Sequence, residues 1–153
     1  MKIKDVMTPN PMVCSPDMNL AAAGELLLEG DCGILPIVDE GRLIGVVTDR
    51  DMCIALATRN KPAAQIAVRE VGEKPVITCS PEAEVHEALA AMAAHRVRRL
   101  VVEGFGQPAL GIVSIDDLVR VAGPRRPLRY EELIDTMRAV TSRHRPVAHV
   151  TAV

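Results

Sequence analysis

The chain has 153 residues and a net charge of −2, so its overall charge does not favour the phosphate backbone of a nucleic acid. With one Phe, one Tyr and no Trp, it also lacks the aromatic platforms on which single-stranded nucleic acids stack. No run approaches the roughly 20 apolar residues of a membrane span, and residues 1–5 lack the apolar stretch of a signal peptide. We therefore expect a cytoplasmic protein whose cysteines are free thiols.

The first part of the chain predicts a β-α-β-β-α unit. A short extended segment covers residues 11–14, and the Ser-Pro-Asp sequence at 15–17 has the composition of a helix start. Short, mainly apolar runs then predict strands over 34–38 and 43–47, joined by a turn. A second helix is expected to begin at Thr48.

The same order of elements returns in the second part of the chain. The offset between the copies is 65 residues at Cys14 and Cys79 and 66 residues at Gly45 and Gly111, which predicts one inserted residue in a turn between two strands. We expect an α+β fold in which two repeats, residues 1–60 and 61–123, pack about a pseudo-twofold axis. Residues 58–67 are expected to link the copies. Such a pair predicts two clefts between the repeats.

Residues 124–153 form a tail that is not part of the duplication. A Pro-Arg-Arg-Pro sequence precedes an amphipathic helix predicted over 130–141, and an alternating segment follows over 147–153. The helix has two interpretations: it covers exposed core, or it is an arm for dimerisation.

A Gly-x-x-Thr/Ser-x-x-Asp motif stands at the junction of strand and helix in each copy, with Thr48 and Asp51 in the first and Ser114 and Asp117 in the second. A hydroxyl at a helix start can bind a phosphate oxygen, and a carboxylate one turn later can accept both hydroxyls of a ribose. The same pair also forms a capping box without any ligand. The two interpretations are compatible.

The whole pattern resembles the tandem cystathionine beta-synthase (CBS) domain pair, also called a Bateman module. The matching residues are 5–16, 34–39 and 45–51 in the first copy, and 95–102 and 111–117 in the second. The resemblance covers residues 4–122. It implies a stand-alone regulatory module, not an enzyme, that binds AMP, ADP, ATP or a related adenosyl ligand and requires no cofactor. It also implies a homodimer that signals to an unidentified effector protein.

The resemblance implies roles for particular residues as well. Thr48, Asp51, Ser114 and Asp117 are expected to hold phosphate and ribose. Adenine is expected against the first short strand of each copy, whose residues here are Met12, Val13 and Cys14, and Ile77 and Thr78. Arg98 and Arg99 are expected to face the phosphates, although a solvated basic surface is the other interpretation of this cluster. The first copy has Gly33 and Ile34 at these positions, so Arg50 is the expected substitute and the two clefts are expected to be unequal.

The cysteines and histidines leave an alternative open. Cys14 and Cys79 occupy equivalent positions, but the chain has no Cys-x-x-Cys and its histidines lack zinc-ligand spacing. Small buried hydrophobic residues are the simpler interpretation of the cysteines. A metal- or redox-responsive protein and a ligand-free assembly module are the alternatives to nucleotide sensing. No nucleophile stands beside a base in any local motif, which argues against catalysis.

Overall fold

A computed structural model describes residues 1–142. Its helices are α1 (Leu20–Glu29), α2 (Asp49–Arg59), α3 (Arg69–Gly72), α4 (Val85–His95), α5 (Ile115–Val121) and α6 (Tyr130–Thr141), with short 3-10 helices at Ile3–Asp5 and Ala63–Gln65. Its strands are β1 (Thr8–Pro9), β2 (Ile34–Asp39), β3 (Arg42–Thr48), β4 (Thr78–Cys79), β5 (Arg99–Gly104) and β6 (Gln107–Ser114). The α+β fold with two repeats and a C-terminal helix is confirmed. The alternating segment expected at 147–153 lies outside the described residues.

Each repeat contributes one hairpin to the fold. In the first repeat, β2 pairs with β3, and the extended segment before α1 adds a parallel bridge between Cys14 and Ile37. In the second repeat, β5 and β6 lie in a four-stranded sheet of order β1-β6-β5-β4. Within the described residues, no helix is long and apolar enough to cross a lipid bilayer.

The repeats exchange their first turns. The amides of Ile3 and Lys4 donate to the carbonyl oxygens of Ala83 and Pro81 in the second repeat, at 2.9 and 3.0 Å. In the same geometry, the amides of Val68 and Arg69 donate to Met18 and Pro16 in the first repeat, at 2.8 and 3.0 Å. Because these donors and acceptors are related by the same 65-residue offset, the exchange follows the pseudo-twofold symmetry.

Two separate apolar cores result from this exchange. The first is built from α1, α2 and the first hairpin, and it includes Ile66 from the segment expected to be a linker and Val68 just after it. The second is built from α4, α5, the second hairpin and α6, and it includes Ile3 from the other end of the chain. The segment predicted to link the copies therefore ends as part of the core of the first repeat.

The helix starts differ from the sequence prediction. The first helix begins at Leu20 with Asn19 as its N-cap, whose side chain accepts from the amide of Ala22 at 2.9 Å. The equivalent helix of the second repeat begins at Val85, after the Ser-Pro-Glu sequence at 80–82 that corresponds to residues 15–17. The Ser-Pro-acid sequences form turns instead, because their Pro16 and Pro81 carbonyl oxygens are used by the exchanged segments.

The inserted residue lies in a strand, not in the turn. Both hairpins have two-residue turns with positive φ: 46° and 75° at Glu40 and Gly41, and 53° and 77° at Phe105 and Gly106. Each turn thus matches the right-handed twist of its strands. The extra residue lies between the second turn and Gly111, where the register between β5 and β6 shifts.

Helix α6 has the bounds predicted from the sequence and packs on the second repeat. Leu133 and, from the preceding segment, Leu128 are buried in the second core. His86 on α4 contacts Glu132 on α6, with Nδ1 and Oε2 2.6 Å apart. A flank of the helix leaves Tyr130 and Ile134 about half exposed. The interpretation that the helix covers exposed core agrees with this packing.

Candidate functional site

Both Gly-x-x-Thr/Ser-x-x-Asp motifs form complete capping boxes. The hydroxyl of Ser114 donates to Oδ2 of Asp117 at 2.6 Å and accepts from the Asp117 amide at 3.2 Å. The Ser114 amide donates to the same Oδ2 at 2.9 Å. Thr48 and Asp51 make the same three bonds at 2.8, 3.2 and 3.0 Å. The boxes fix the direction of each carboxylate and use only its Oδ2, so Oδ1 is left for another partner.

The glycines that open the motifs serve the exchanged segments. A Cβ on Gly45 would overlap the carbonyl oxygen of Gly72, and a Cβ on Gly111 would lie 2.5 Å from Sδ of Met7 and 3.0 Å from the carbonyl oxygen of Thr8. Close backbone approach, expected from the sequence, therefore occurs here between two parts of the chain.

A cavity of about 460 Å³ lies beside Ser114, and we call it the Ser114 cleft. It is lined from both repeats. The second repeat contributes Arg99, Ile112, Ser114, Asp116, Asp117 and Arg120, and the first contributes Thr8, Asn10, Pro11, Met12, Gly30, Asp31, Cys32, Gly33 and Ile34. Its volume is within the range of small-molecule sites, which is about 300–1,000 Å³. Its lining combines apolar side chains with charged groups, which suits a ligand with one flat apolar part and one anionic part.

Arg99 reaches across the cleft to the first repeat. Its Nη2 lies 3.5 Å from the position that a Cβ on Gly33 would take, which is an ordinary van der Waals distance, so the guanidinium lies beside the backbone of the first repeat. Arg99 is partly buried, and among residues 1–142 its guanidinium has no hydrogen-bond or ion-pair partner. A guanidinium without a partner can form paired charge-assisted hydrogen bonds to a phosphate or carboxylate.

The two motif carboxylates differ in their remaining contacts. Oδ1 of Asp117 lies 3.6 Å from Nη1 of Arg120, whose side chain is 78% exposed. Both oxygens of Asp51 instead lie 3.1 Å from Nζ of Lys74. Burial alone would raise the pKa of Asp51, but the hydrogen bonds from Thr48 and Lys74 outweigh it and hold this pKa below its ordinary value. The carboxylate of Asp51 is therefore more fully occupied than that of Asp117.

The other residues singled out in the sequence occupy different places. Arg98 is exposed and lines a smaller cavity of about 150 Å³ against α6, which Arg99 also borders. Arg50 is exposed on the first turn of α2. Of the adenine-strand residues, only Met12 lines the Ser114 cleft. Val13 is 44% exposed and Cys14 lies in the first core, while Ile77 packs on the second core and Thr78 lies in β4.

Sequence reasoning missed four charged residues at these sites. Asp31, Asp116 and Arg120 line the Ser114 cleft, and Lys74 contacts Asp51. The sequence does not show which part of one repeat packs beside the motif of the other. In the fold, the loop after α1 lies beside the motif of the second repeat. Register comparison does contain a signal: the copy offset places Arg96 at the position of Asp31, and Arg50 at the position of Asp116.

The cysteines are free thiols. Burial raises the pKa of the Cys14 and Cys79 thiols to about 11, so both are protonated at neutral pH. Protonated thiols are poor metal ligands and poor nucleophiles. Within residues 1–142, no group of three or more His, Cys, Asp or Glu side chains is arranged to hold a metal ion.

The CBS domain family profile matches residues 3–58 and 68–123. The chain therefore belongs to the CBS domain family and contains a tandem CBS pair. Protein YlbB of Bacillus subtilis (strain 168) is 36% identical over 119 residues, which cover 76% of this chain and 79% of YlbB.

Two solved structures extend this likeness. The CBS domain pair of protein MJ0100, in complex with 5′-methylthioadenosine and S-adenosyl-L-methionine, has a TM-score of 0.70 and 26% identity, covering 78% of this chain and 94% of that chain. Hypoxic response protein I, with two coordinated zinc ions, has a TM-score of 0.69 and 29% identity, covering 78% and 98%.

Proposed function

We propose that this protein is a regulatory module that binds an adenosine-containing ligand, AMP, ADP, ATP or a related adenosyl compound, in the Ser114 cleft. The observation that carries the proposal is the composition of that cleft, in which a fixed carboxylate, a partly buried arginine and apolar side chains face one cavity. The MJ0100 pair, which is similar over most of this chain, binds two adenosyl compounds. That likeness supports the ligand class.

Each part of the ligand has a matching group in the proposed site. Oδ1 of Asp117 is outside the capping box and can accept the ribose hydroxyls, once Arg120 swings away or shares it. Arg99 can bind a phosphate through two N–H groups. The adenine then lies between Met12, Ile34 and Ile112, which suits a chain with almost no aromatic side chains. Backbone groups beside these residues can form hydrogen bonds with the ring nitrogens and the amine of the adenine.

We further propose that the two motifs do not bind equally. In the Thr48 motif, a ligand must displace Lys74 from Asp51 before its ribose can be held. In the Ser114 motif, the competing contact is longer, at 3.6 Å, and comes from an exposed side chain. The Ser114 cleft is therefore the stronger site.

The proposed output is regulatory and not catalytic. In this account the chain forms a homodimer and changes its contact with an effector protein when the ligand binds. Binding across two repeats suits this role, because a ligand held by groups from both repeats stabilises one arrangement of the pair over others.

Thermal unfolding with a panel of ligands tests the proposal. A ligand that binds only the folded state at 100 times its Kd adds about 2.7 kcal/mol of stability, which raises Tm by several degrees. The panel is AMP, ADP, ATP, S-adenosylmethionine, 5′-methylthioadenosine, NAD and zinc chloride, with guanosine monophosphate as the base control. A shift with adenosyl compounds alone supports the proposal. A shift with zinc alone favours a metal-responsive protein, and no shift at millimolar concentration contradicts ligand sensing.

A further inference from the structure

The Ser114 cleft has few positive charges for a site that faces a phosphorylated ligand. Its charged residues are Asp31, Arg99, Asp116, Asp117 and Arg120, three carboxylates against two guanidinium groups. Asp117 and Arg120 face each other at 3.6 Å. Arg99 is then the one lining cation without an ion-pair partner among residues 1–142.

The remaining carboxylates are exposed and unneutralised. Asp31 follows the end of α1, and Asp116 lies in the first turn of α5. Neither forms an ion pair with any residue of the described part of the chain. A ligand that brings further anionic groups into the cleft besides the one at Arg99 would therefore meet two negative charges, and the repulsion weakens as salt rises.

The acidic residues are specific to this cleft. At the position equivalent to each in the other copy of the sequence, the chain has Arg96 in place of Asp31 and Arg50 in place of Asp116. The sign of the charge is thus reversed at both positions, while the hydroxyl and carboxylate of the motif are kept. The fold itself does not require a carboxylate at either place.

We infer that the Ser114 cleft selects adenosine ligands that carry a single phosphate group. This inference rests on the proposed function and narrows it. Arg99 binds one phosphate through paired N–H groups, and Asp31 and Asp116 repel a second and third. The order of affinity is AMP, then ADP, then ATP, and adenosine binds more weakly than AMP because it leaves Arg99 without an anion.

A local reporter separates this cleft from the Thr48 motif. Met12 lines the cleft, and its methyl resonance in a sample with ¹³C-methyl methionine is assigned with the Met12→Leu variant. Adenosine, AMP, ADP and ATP are titrated separately in low-salt, magnesium-free buffer, and each Kd is read from the Met12 signal. We expect AMP to bind about tenfold more tightly than ATP, a difference of about 1.4 kcal/mol.

The double variant Asp31→Asn/Asp116→Asn tests the cause. Asn suits the left-handed backbone of Asp31, where φ is 44°, so this change should leave the fold intact, as its Tm will verify. We expect the AMP-to-ATP ratio to fall to about twofold in this variant, and Asp39→Asn, an exposed aspartate on the first hairpin, to leave the ratio unchanged.

The outcomes separate the inference from the function it rests on. ATP binding as tightly as AMP, or a ratio that the double variant does not change, overturns the inference while nucleotide binding stands. An equal effect of Asp39→Asn also overturns it, because net charge alone would then explain the preference. If no ligand moves the Met12 signal, the proposed function fails and the inference with it.

Discussion

Ile3 and Val68 occupy equivalent positions in the two copies, and each is fully buried in the core of the other repeat. Each amide donates to a carbonyl oxygen of the repeat that buries it. The two CBS repeats are therefore held together by the exchanged segments. A ligand in the Ser114 cleft lies next to one of these crossings, because Thr8 and Met12 follow the exchanged turn.

The exchange predicts that a residue near the start of the chain matters greatly for stability. We expect Ile3→Ala to cost about 2–4 kcal/mol in free energy of unfolding, as for other buried isoleucines. The half-exposed Val13 is the control, and Val13→Ala should change stability by less than about 0.5 kcal/mol. Denaturant unfolding measures both. Hydrogen exchange should place the loosening caused by Ile3→Ala in the second repeat; loosening in the first repeat would refute the exchange.

Substitution by alanine is expected to change stability in opposite directions at Gly45 and Gly24. Gly45→Ala forces a methyl group into the Gly72 backbone, and we expect a loss of about 1–3 kcal/mol. Gly24 lies within α1 with nothing within 4 Å of an added Cβ, so Gly24→Ala should stabilise by about 0.5–1 kcal/mol. The two changes of Tm in thermal unfolding should differ in sign. Stabilisation by Gly45→Ala would mean that the segments do not cross closely.

The tail helix is predicted to stabilise the second repeat. Leu133 is 3% exposed and its neighbour Ile134 is 49% exposed, so the pair compares the two faces of α6. Leu133→Ala should cost about 2–4 kcal/mol, and Ile134→Ala less than about 0.5 kcal/mol. Chemical unfolding at two protein concentrations measures this. A concentration-dependent loss with Ile134→Ala would instead favour the dimerisation arm, which light scattering would then confirm as a smaller mass.

Lys74 is predicted to control the titration of Asp51. The pKa of Asp51 is lowered in the folded protein, so ionised Asp51 adds stability above the unfolded value of about 3.9 and this stability is lost as pH falls through the folded pKa. Lys74→Met should raise the Asp51 pKa and reduce stability at neutral pH more than in acid. Carboxyl ¹³C NMR follows the titration, with Lys4→Met, whose partner is Glu82, as the control. An unchanged pKa would show that the pair does not persist in solution.

The duplicated pattern was sufficient to predict the repeats and the hairpins, and the amphipathic pattern of the tail was sufficient to predict the bounds of α6. These features depend on local periodicity and turn residues, which the sequence contains directly. The start of α1 was predicted too early because the Pro16 carbonyl accepts a bond from Arg69, a partner more than 50 residues away along the chain. For the same reason Lys74 was missed: nothing local indicates that it meets Asp51.

The site was predictable in its motif residues and not in its surroundings. Ser114 and Asp117 follow from a spacing of three residues on one helix turn. The other charged residues of the cleft cannot be predicted from this spacing, since Asp31 comes close to the motif of the second repeat only through the packing of the two repeats. Sequence therefore indicated the chemistry that could hold a ribose, but not the net charge that the ligand would meet.

Calorimetric titration of AMP into the Asp117→Ala and Asp51→Ala variants tests the central claim most directly. Each substitution removes the capping box of its own motif at a cost of about 1 kcal/mol of stability, so a difference in binding reports the ligand site and not the cap. We predict that Asp117→Ala weakens AMP binding at least tenfold, while Asp51→Ala weakens it less than threefold, in line with a lost hydrogen-bonded contact of about 1.4 kcal/mol or more. Equal losses in the two variants, or no binding by the unmodified protein, would contradict the claim that the Ser114 cleft is the nucleotide site.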